Sequence, residues 1–107
     1  MNKMAITNLQ FLDGQKIHIN GLNLHIHNNM YILELVADVE NKSCLLKCYN
    51  ISKFRIDDIS FPATISGFEV IDNLENGWQS DVRYKVCDFE ENLISFYCED
   101  IEVECIN

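Results

Sequence analysis

The segment "KIHINGLNLHIHNN", residues 16–29, decides the predicted fold because it combines regular alternation with a turn signal. Apolar and polar side chains alternate on both sides of Asn20-Gly21, and this period of two is typical of half-buried β-strands. Asn-Gly is the strongest short signal for a type I′ turn, since both central residues need positive φ. We therefore predict a β-hairpin that turns at Asn20-Gly21. Its buried face is expected to consist of Ile17, Ile19, Leu22, Leu24 and Ile26.

Alternation continues outward from this hairpin through most of the chain. Further strands are predicted at 30–38, 44–50, 65–72, 82–88, 93–98 and 101–105. In each of the last three strands, three side chains are expected to point into the core. They are Val82, Tyr84 and Val86 in the first, Ile94, Phe96 and Cys98 in the second, and Ile101, Val103 and Cys105 in the third. Residues 51–62 are less regular. Residues 51–58 are compatible with a short helical turn, and a loop or sheet edge is expected at Pro62, which cannot donate to a ladder.

These patterns predict the fold class. No stretch of eleven or more residues shows a helical repeat, which favours an all-β chain. A length of 107 residues suits one domain, and the hydrophobic and charged fractions, 48% and 23%, are ordinary globular values. We predict one domain spanning residues 1–107, an antiparallel β-sandwich or partly open barrel of about eight short strands.

The compartment is predicted from the N-terminus and the cysteines. Residues 1–14 contain no apolar run of signal-peptide length, and no segment reaches the roughly 20 apolar residues of a membrane span. Five cysteines, an odd number, together with the absent leader favour reduced thiols in the cytosol. Inward, core-packed positions are expected for Cys44, Cys48, Cys98 and Cys105. Cys87 shares a strand face with Arg83 and Lys85 and is expected at a buried edge.

Charge is distributed unevenly along the chain, and the distribution predicts the type of partner. Residues 1–56 carry six cationic and four acidic side chains, whereas residues 57–107 carry two cationic and thirteen acidic ones, for a net charge of -9. An acidic surface repels phosphate backbones and attracts basic proteins. Direct nucleic-acid binding is therefore not expected, and a basic protein partner is.

The histidines are candidate metal ligands. His18, His25 and His27 are the three histidines of the chain, and the spacing of His25 and His27 puts both rings on one face of a strand. The predicted hairpin, however, places Lys16 directly opposite His25, where its charge would oppose a cation. The histidines are therefore expected on the solvated face, with no cofactor. A metal site at His25 and His27 is the alternative.

The sequence offers no catalytic constellation. It lacks a G-x-S-x-G nucleophile elbow, and its four glycines are not clustered as in phosphate-binding loops. Adjacent acidic pairs such as Glu90-Glu91 and Glu99-Asp100 lie at predicted turns, where solvated charge is the simpler interpretation. An enzyme is therefore not expected.

The remaining profile predicts a protein-binding function. Trp78 lies in the polar segment 73–81. One interpretation is that it folds back to plug one end of the sandwich, and the other is an interface anchor ringed by acids, since tryptophan is strongly enriched at hot spots. We expect an acidic interaction module of the immunity-protein or antitoxin type, or a phage anti-defence inhibitor, that covers a basic cleft on a toxin or nuclease. A small metal-binding β-barrel, with or without enzymatic activity, and an assembly subunit are the alternatives. The expected contact residues are Glu75, Trp78, Asp81, Glu90, Glu91, Glu99 and Asp100.

Overall fold

In the part of the chain that the structure describes, ten antiparallel strands form two packed sheets, which confirms the all-β prediction. The computed structural model describes residues 3–6, 16–57, 60–73 and 82–106. The strands are β1 (Lys3–Ile6), β2 (Ile17–His27), β3 (Met30–Val39), β4 (Lys42–Tyr49), β5 (Ser52–Ile56), β6 (Ala63–Ile65), β7 (Phe68–Asp72), β8 (Tyr84–Asp88), β9 (Ile94–Cys98) and β10 (Asp100–Ile106). The large sheet has the order β1-β10-β4-β3-β2-β6 and the small sheet β5-β9-β8-β7. In these ranges no helix is long and apolar enough to cross a membrane.

The predicted hairpin turn at Asn20-Gly21 is wrong. Both residues lie inside β2, where the register against β3 shifts between Ile19 and Gly21 as a β-bulge. The chain turns instead at Asn28-Asn29, whose φ values of 51° and 63° satisfy the type I′ requirement. A bulge adds one residue to a strand, so it changes the phase of alternation in the same way as a two-residue turn does.

The apolar face predicted for this segment is only partly buried. Ile17 and Ile19 are fully buried, and Leu22 packs against the core from a half-buried position. Leu24 and Ile26, in contrast, are 40% and 63% exposed. These two residues lie near the end of the β2–β3 hairpin, towards the turn at Asn28-Asn29.

The core fills the space between the two sheets. The inward positions predicted for the last three strands are confirmed, except that Val82 precedes β8 and, like Tyr84, is half-buried. The proposed helical turn at 51–58 is wrong, because residues 52–56 form β5. Pro62 precedes β6, an edge strand of the large sheet, as expected. The largest fully buried side chains include Phe68, Phe96, Leu33, Leu35, Leu46, Ile65 and Ile94.

The cysteines depart from the prediction of reduced thiols. Cys44 and Cys105 face each other in the register of β4 and β10, with Cα atoms 4.0 Å apart, and form a disulfide. Cys48, Cys87 and Cys98 remain thiols. Core positions for Cys44, Cys48, Cys98 and Cys105 are confirmed. Because disulfides persist in oxidising compartments, the cysteine count no longer supports the cytosolic prediction.

Gly67, between β6 and β7, is the glycine that the packing requires. A Cβ atom there would lie 2.7 Å from Glu90 Cγ and 2.9 Å from the Glu90 backbone nitrogen. A Cβ atom on Gly21 would meet nothing within 4 Å. We expect Gly67→Ala to lower the free energy of unfolding by about 1–3 kcal/mol through overpacking. Gly21→Ala should leave it unchanged or raise it by up to about 1 kcal/mol. Urea denaturation of both variants tests this, and equal losses would contradict it.

Candidate partner-binding groove

The acidic residues that we predicted as partner contacts from the sequence do not all lie together in the structure. Glu90 and Glu91 lie in the turn between β8 and β9, whereas Glu99 and Asp100 lie where β9 passes to β10. The two pairs are therefore at opposite ends of the five-residue strand β9, on the order of 15 Å apart at about 3.3 Å per residue. Glu75, Trp78 and Asp81 lie outside the described residues.

The turn that carries Glu90 and Glu91 is built around a buried carboxylate. Asp88 is 2% exposed, and its side-chain oxygens accept hydrogen bonds from the backbone N–H groups of Glu90, Glu91 and Leu93 at 3.1, 3.4 and 3.3 Å. These bonds satisfy the buried carboxylate. Asp88 therefore has a structural role, and it holds the two exposed glutamates on one side of the molecule.

Glu99 belongs to a different structural unit, which we call the crossover junction and define as Tyr49, Asn50 and Glu99. Asp100 follows it as the first residue of β10. The chain passes from the large sheet to the small one after Tyr49, and from β9 of the small sheet back to the large sheet at Glu99. The Glu99 N–H donates to the Tyr49 carbonyl at 2.9 Å, and the Asn50 amide donates to Glu99 Oε1 at 3.1 Å. Asn50 has a φ of 59°, a left-handed conformation that asparagine tolerates. Two separate passages between the sheets are thus joined at one point.

An open groove of about 320 Å³ lies over this junction, and we call it the acidic groove. Asp100 is opposite Tyr49 in the β10–β4 register, and Glu102 is two residues further along β10. An aromatic ring next to carboxylates is a favourable setting for a cationic side chain, through cation–π and charge-assisted contacts. The residues that line the groove are Met30, Tyr49, Glu99, Asp100 and Glu102.

The pKa of Tyr49 reflects the negative charge of the groove. Its pKa is raised above the ordinary tyrosine value, first by partial burial and then by a hydrogen bond with Glu102. The charges of Glu102, Asp100 and Glu34 raise the pKa further, because they oppose formation of a negative phenolate. The same negative potential would attract an external cation.

The outer face of the small sheet has the opposite character. Lys53 Nζ and Lys85 Nζ lie 5.6 and 5.9 Å from the centre of the Tyr97 ring. At the rim, the Arg83 guanidinium stacks over Tyr84 and pairs with Asp72 at 3.0 Å. The charges are therefore distributed differently on the two sheets. Carboxylates predominate around Tyr49 on the large sheet, where Lys47 lies opposite Glu102, and Lys53 and Lys85 lie around Tyr97 on the small sheet. Linear charge counting missed this difference.

The histidines all lie on β2. The pairing expected between Lys16 and His25 is wrong, since His25 is opposite Ile32 on β3. His25 Nδ1 is 3.6 Å from Glu34 Oε1, while His27 is two residues away towards the turn. Among the described residues, no three His, Cys, Asp or Glu side chains converge as metal ligands. The geometry of this strand thus adds nothing in favour of the metal alternative.

A second open cavity, of about 470 Å³, lies at the other end of the large sheet. Its lining mixes both charges, and Asp38 already accepts hydrogen bonds from Asn20 and Ser43. This cavity lacks the concentrated single-sign charge of the acidic groove. It is lined by Lys16, His18, Asp38, Glu40 and Asn41.

Comparison of the chain with protein-family models, with curated proteins and with solved structures finds no match. The geometry and electrostatics of the acidic groove are therefore the features that indicate a function.

Removal of the Glu102 charge is expected to lower the pKa of Tyr49 towards the ordinary tyrosine value. Glu102→Gln takes away a nearby negative charge and weakens a hydrogen bond that favours the neutral phenol, so the phenolate forms at lower pH. A pH titration of ring-labelled tyrosines by NMR measures this, with Tyr49→Phe to assign the signal. Glu40→Gln, at the other end of β3, is the matched control and should leave the pKa of Tyr49 as it was. An unchanged or raised pKa in Glu102→Gln would contradict the electrostatic interpretation.

Proposed function

We propose that this protein is a protein-binding inhibitor of the immunity-protein or antitoxin type, or a phage anti-defence inhibitor, and that its acidic groove contacts a basic protein. The observation that carries the proposal is the groove itself, which is lined by three acidic residues and the half-buried Tyr49. The partner would be a toxin or nuclease whose basic cleft the groove and the neighbouring outer face of the large sheet cover.

The electrostatics favour this kind of partner. A protein that holds phosphate backbones must present lysines and arginines, and a surface of opposite sign increases the rate at which it is found. Inhibitors benefit from fast association because they compete with nucleic acid for the same surface. The net charge of -9 extends this attraction beyond the groove.

The groove also offers anchoring contacts, which steering charges alone would not supply. Tyr49 provides an aromatic face for an inserted lysine or arginine, and tyrosine is among the residues enriched at hot spots. Met30 provides an adaptable apolar wall. Glu99 is held by Asn50, and Asp100 accepts a hydrogen bond from the Ile101 N–H at 2.9 Å. Side chains that are already ordered lose less entropy on binding.

Charge reversal in the groove tests the proposal. We expect Asp100→Lys with Glu102→Lys to reduce capture of a basic partner from a lysate of the source organism at least about tenfold, or about 1.4 kcal/mol. Glu90→Lys with Glu91→Lys makes the same change of charge at the β8–β9 turn and is the matched control. The baits are compared at low and moderate salt, and the captured proteins are identified by mass spectrometry. Equal capture by the groove variant and the control would exclude the groove as the contact surface.

The sequence-based contacts at the β8–β9 turn are tested separately. Because Glu90 and Glu91 lie far from the groove, their reversal to lysine should reduce the association rate less than reversal of Asp100 and Glu102 does. Stopped-flow association with the captured partner over a range of salt concentrations measures both effects. If reversal of Glu90 and Glu91 reduced the association rate more, the contact surface would lie at the β8–β9 turn and not at the groove.

A further inference from the structure

Two thiols that lie directly behind the acidic groove have no part in the proposed contact. Cys48 and Cys98 are each fully buried, and each immediately precedes a residue of the crossover junction. Cys48 belongs to the large sheet and Cys98 to the small one. Their thiols share a hydrogen bond, and the neighbouring backbone bond from Glu99 to Tyr49 holds the two strands together at this point.

The topology excludes other partners for this pair. Cys44 lies four residues before Cys48 on the same face of β4, and it is already bonded to Cys105. Cys87 is one residue from Val86, whose side chain points into the core, so Cys87 lies on the other face of the small sheet. Cys98 is therefore the thiol that Cys48 can reach in the folded protein.

We propose that Cys48 and Cys98 form a second disulfide site, one that links the two sheets behind the acidic groove. A low-molecular-weight disulfide such as oxidised glutathione supplies the oxidising equivalents. One cysteine thiolate attacks a glutathione sulfur, which forms a mixed disulfide and releases one glutathione thiolate. The second cysteine thiolate then attacks the protein sulfur of the mixed disulfide and releases the second. The two cysteines lose two electrons and two protons, and one glutathione disulfide becomes two thiols.

Burial controls when this bond forms. The hydrogen bond with Cys98 and then burial raise the pKa of the Cys48 thiol well above its ordinary value, so little thiolate is present in the folded protein at neutral pH. Disulfide exchange needs the thiolate and access to it. The bond therefore closes most readily during folding, before the core excludes the oxidant, and then resists reduction for the same reason.

The bond has a consequence for the groove, and this consequence rests on the proposed function. Cys48 is joined to Tyr49, and Cys98 to Glu99, so a covalent link between the thiols fixes the backbone on both sides of the junction. Reduced motion of the groove residues lowers the entropy lost on binding. Oxidised protein should therefore bind cationic ligands more tightly than protein without this link.

Disulfide mapping tests the site independently of any partner. Reduced, unfolded protein is refolded in a mixture of oxidised and reduced glutathione, alkylated under denaturing conditions, digested and analysed by mass spectrometry. We expect Cys48–Cys98 and Cys44–Cys105 peptides, with Cys87 the alkylated cysteine. Cys48→Ala should expose Cys98 to alkylation, Cys98→Ala should expose Cys48, and Cys87→Ala should change neither bond. Alkylation of both Cys48 and Cys98 in protein that has formed Cys44–Cys105 would overturn the site.

A binding measurement tests the coupling to the groove. A fluorescent oligoarginine peptide is titrated with oxidised protein and with the Cys48→Ala, Cys98→Ala double variant, which retains Cys44–Cys105. Several-fold tighter binding by the oxidised protein would support the coupling, and equal affinities would overturn it. Failure of both proteins to bind would count against the proposed function, while the disulfide site would still be decided by the peptide map.

Discussion

The hydrogen bond from the Glu99 N–H to the Tyr49 carbonyl is the contact on which the functional geometry depends. It joins two passages between the sheets, from β4 to β5 and from β9 to β10, although the two residues are fifty positions apart in sequence. The acidic groove lies on one side of this bond, and the thiols of Cys48 and Cys98 lie on the other. A single backbone contact thus lies between a polar surface outside and a pair of buried thiols inside.

Because inward and outward side chains alternate along each strand, the two outer faces of the sandwich carry different sets of charged residues. In β10, Ile101, Val103 and Cys105 enter the core, so the intervening Glu102 and Glu104 face outward. In β8 and β9 the outward positions include Lys85 and Tyr97. Because the two sheets pack core to core, their outer faces point in opposite directions. Each face nevertheless carries both signs of charge, since Lys47 lies opposite Glu102 on the large sheet and Arg83 pairs with Asp72 on the small one.

Much of the fold could be predicted from the sequence, because burial against a second sheet imposes a period of two. The inward residues of β9 and β10 follow from that rule alone. The first turn could not be predicted, since a bulge at Gly21 and a two-residue turn change the phase of alternation identically, and only long-range pairing with β3 separates them. The Cys44–Cys105 bond was missed for the same reason, because it depends on the β4–β10 register. Of the groove, the sequence identified Glu99 and Asp100 but not Tyr49, whose role arises from the crossover junction.

The most direct test of cation binding at the acidic groove is to map the bound surface by NMR. Uniformly labelled protein is titrated with an oligoarginine peptide, and changes in backbone amide shifts are followed residue by residue. We expect the largest changes at Met30, Tyr49 and residues 99–102, and no change at Lys53, Lys85 and Tyr97 on the opposite face. Changes concentrated at the β8–β9 turn, or spread evenly over all acidic positions, would contradict a binding site at the acidic groove.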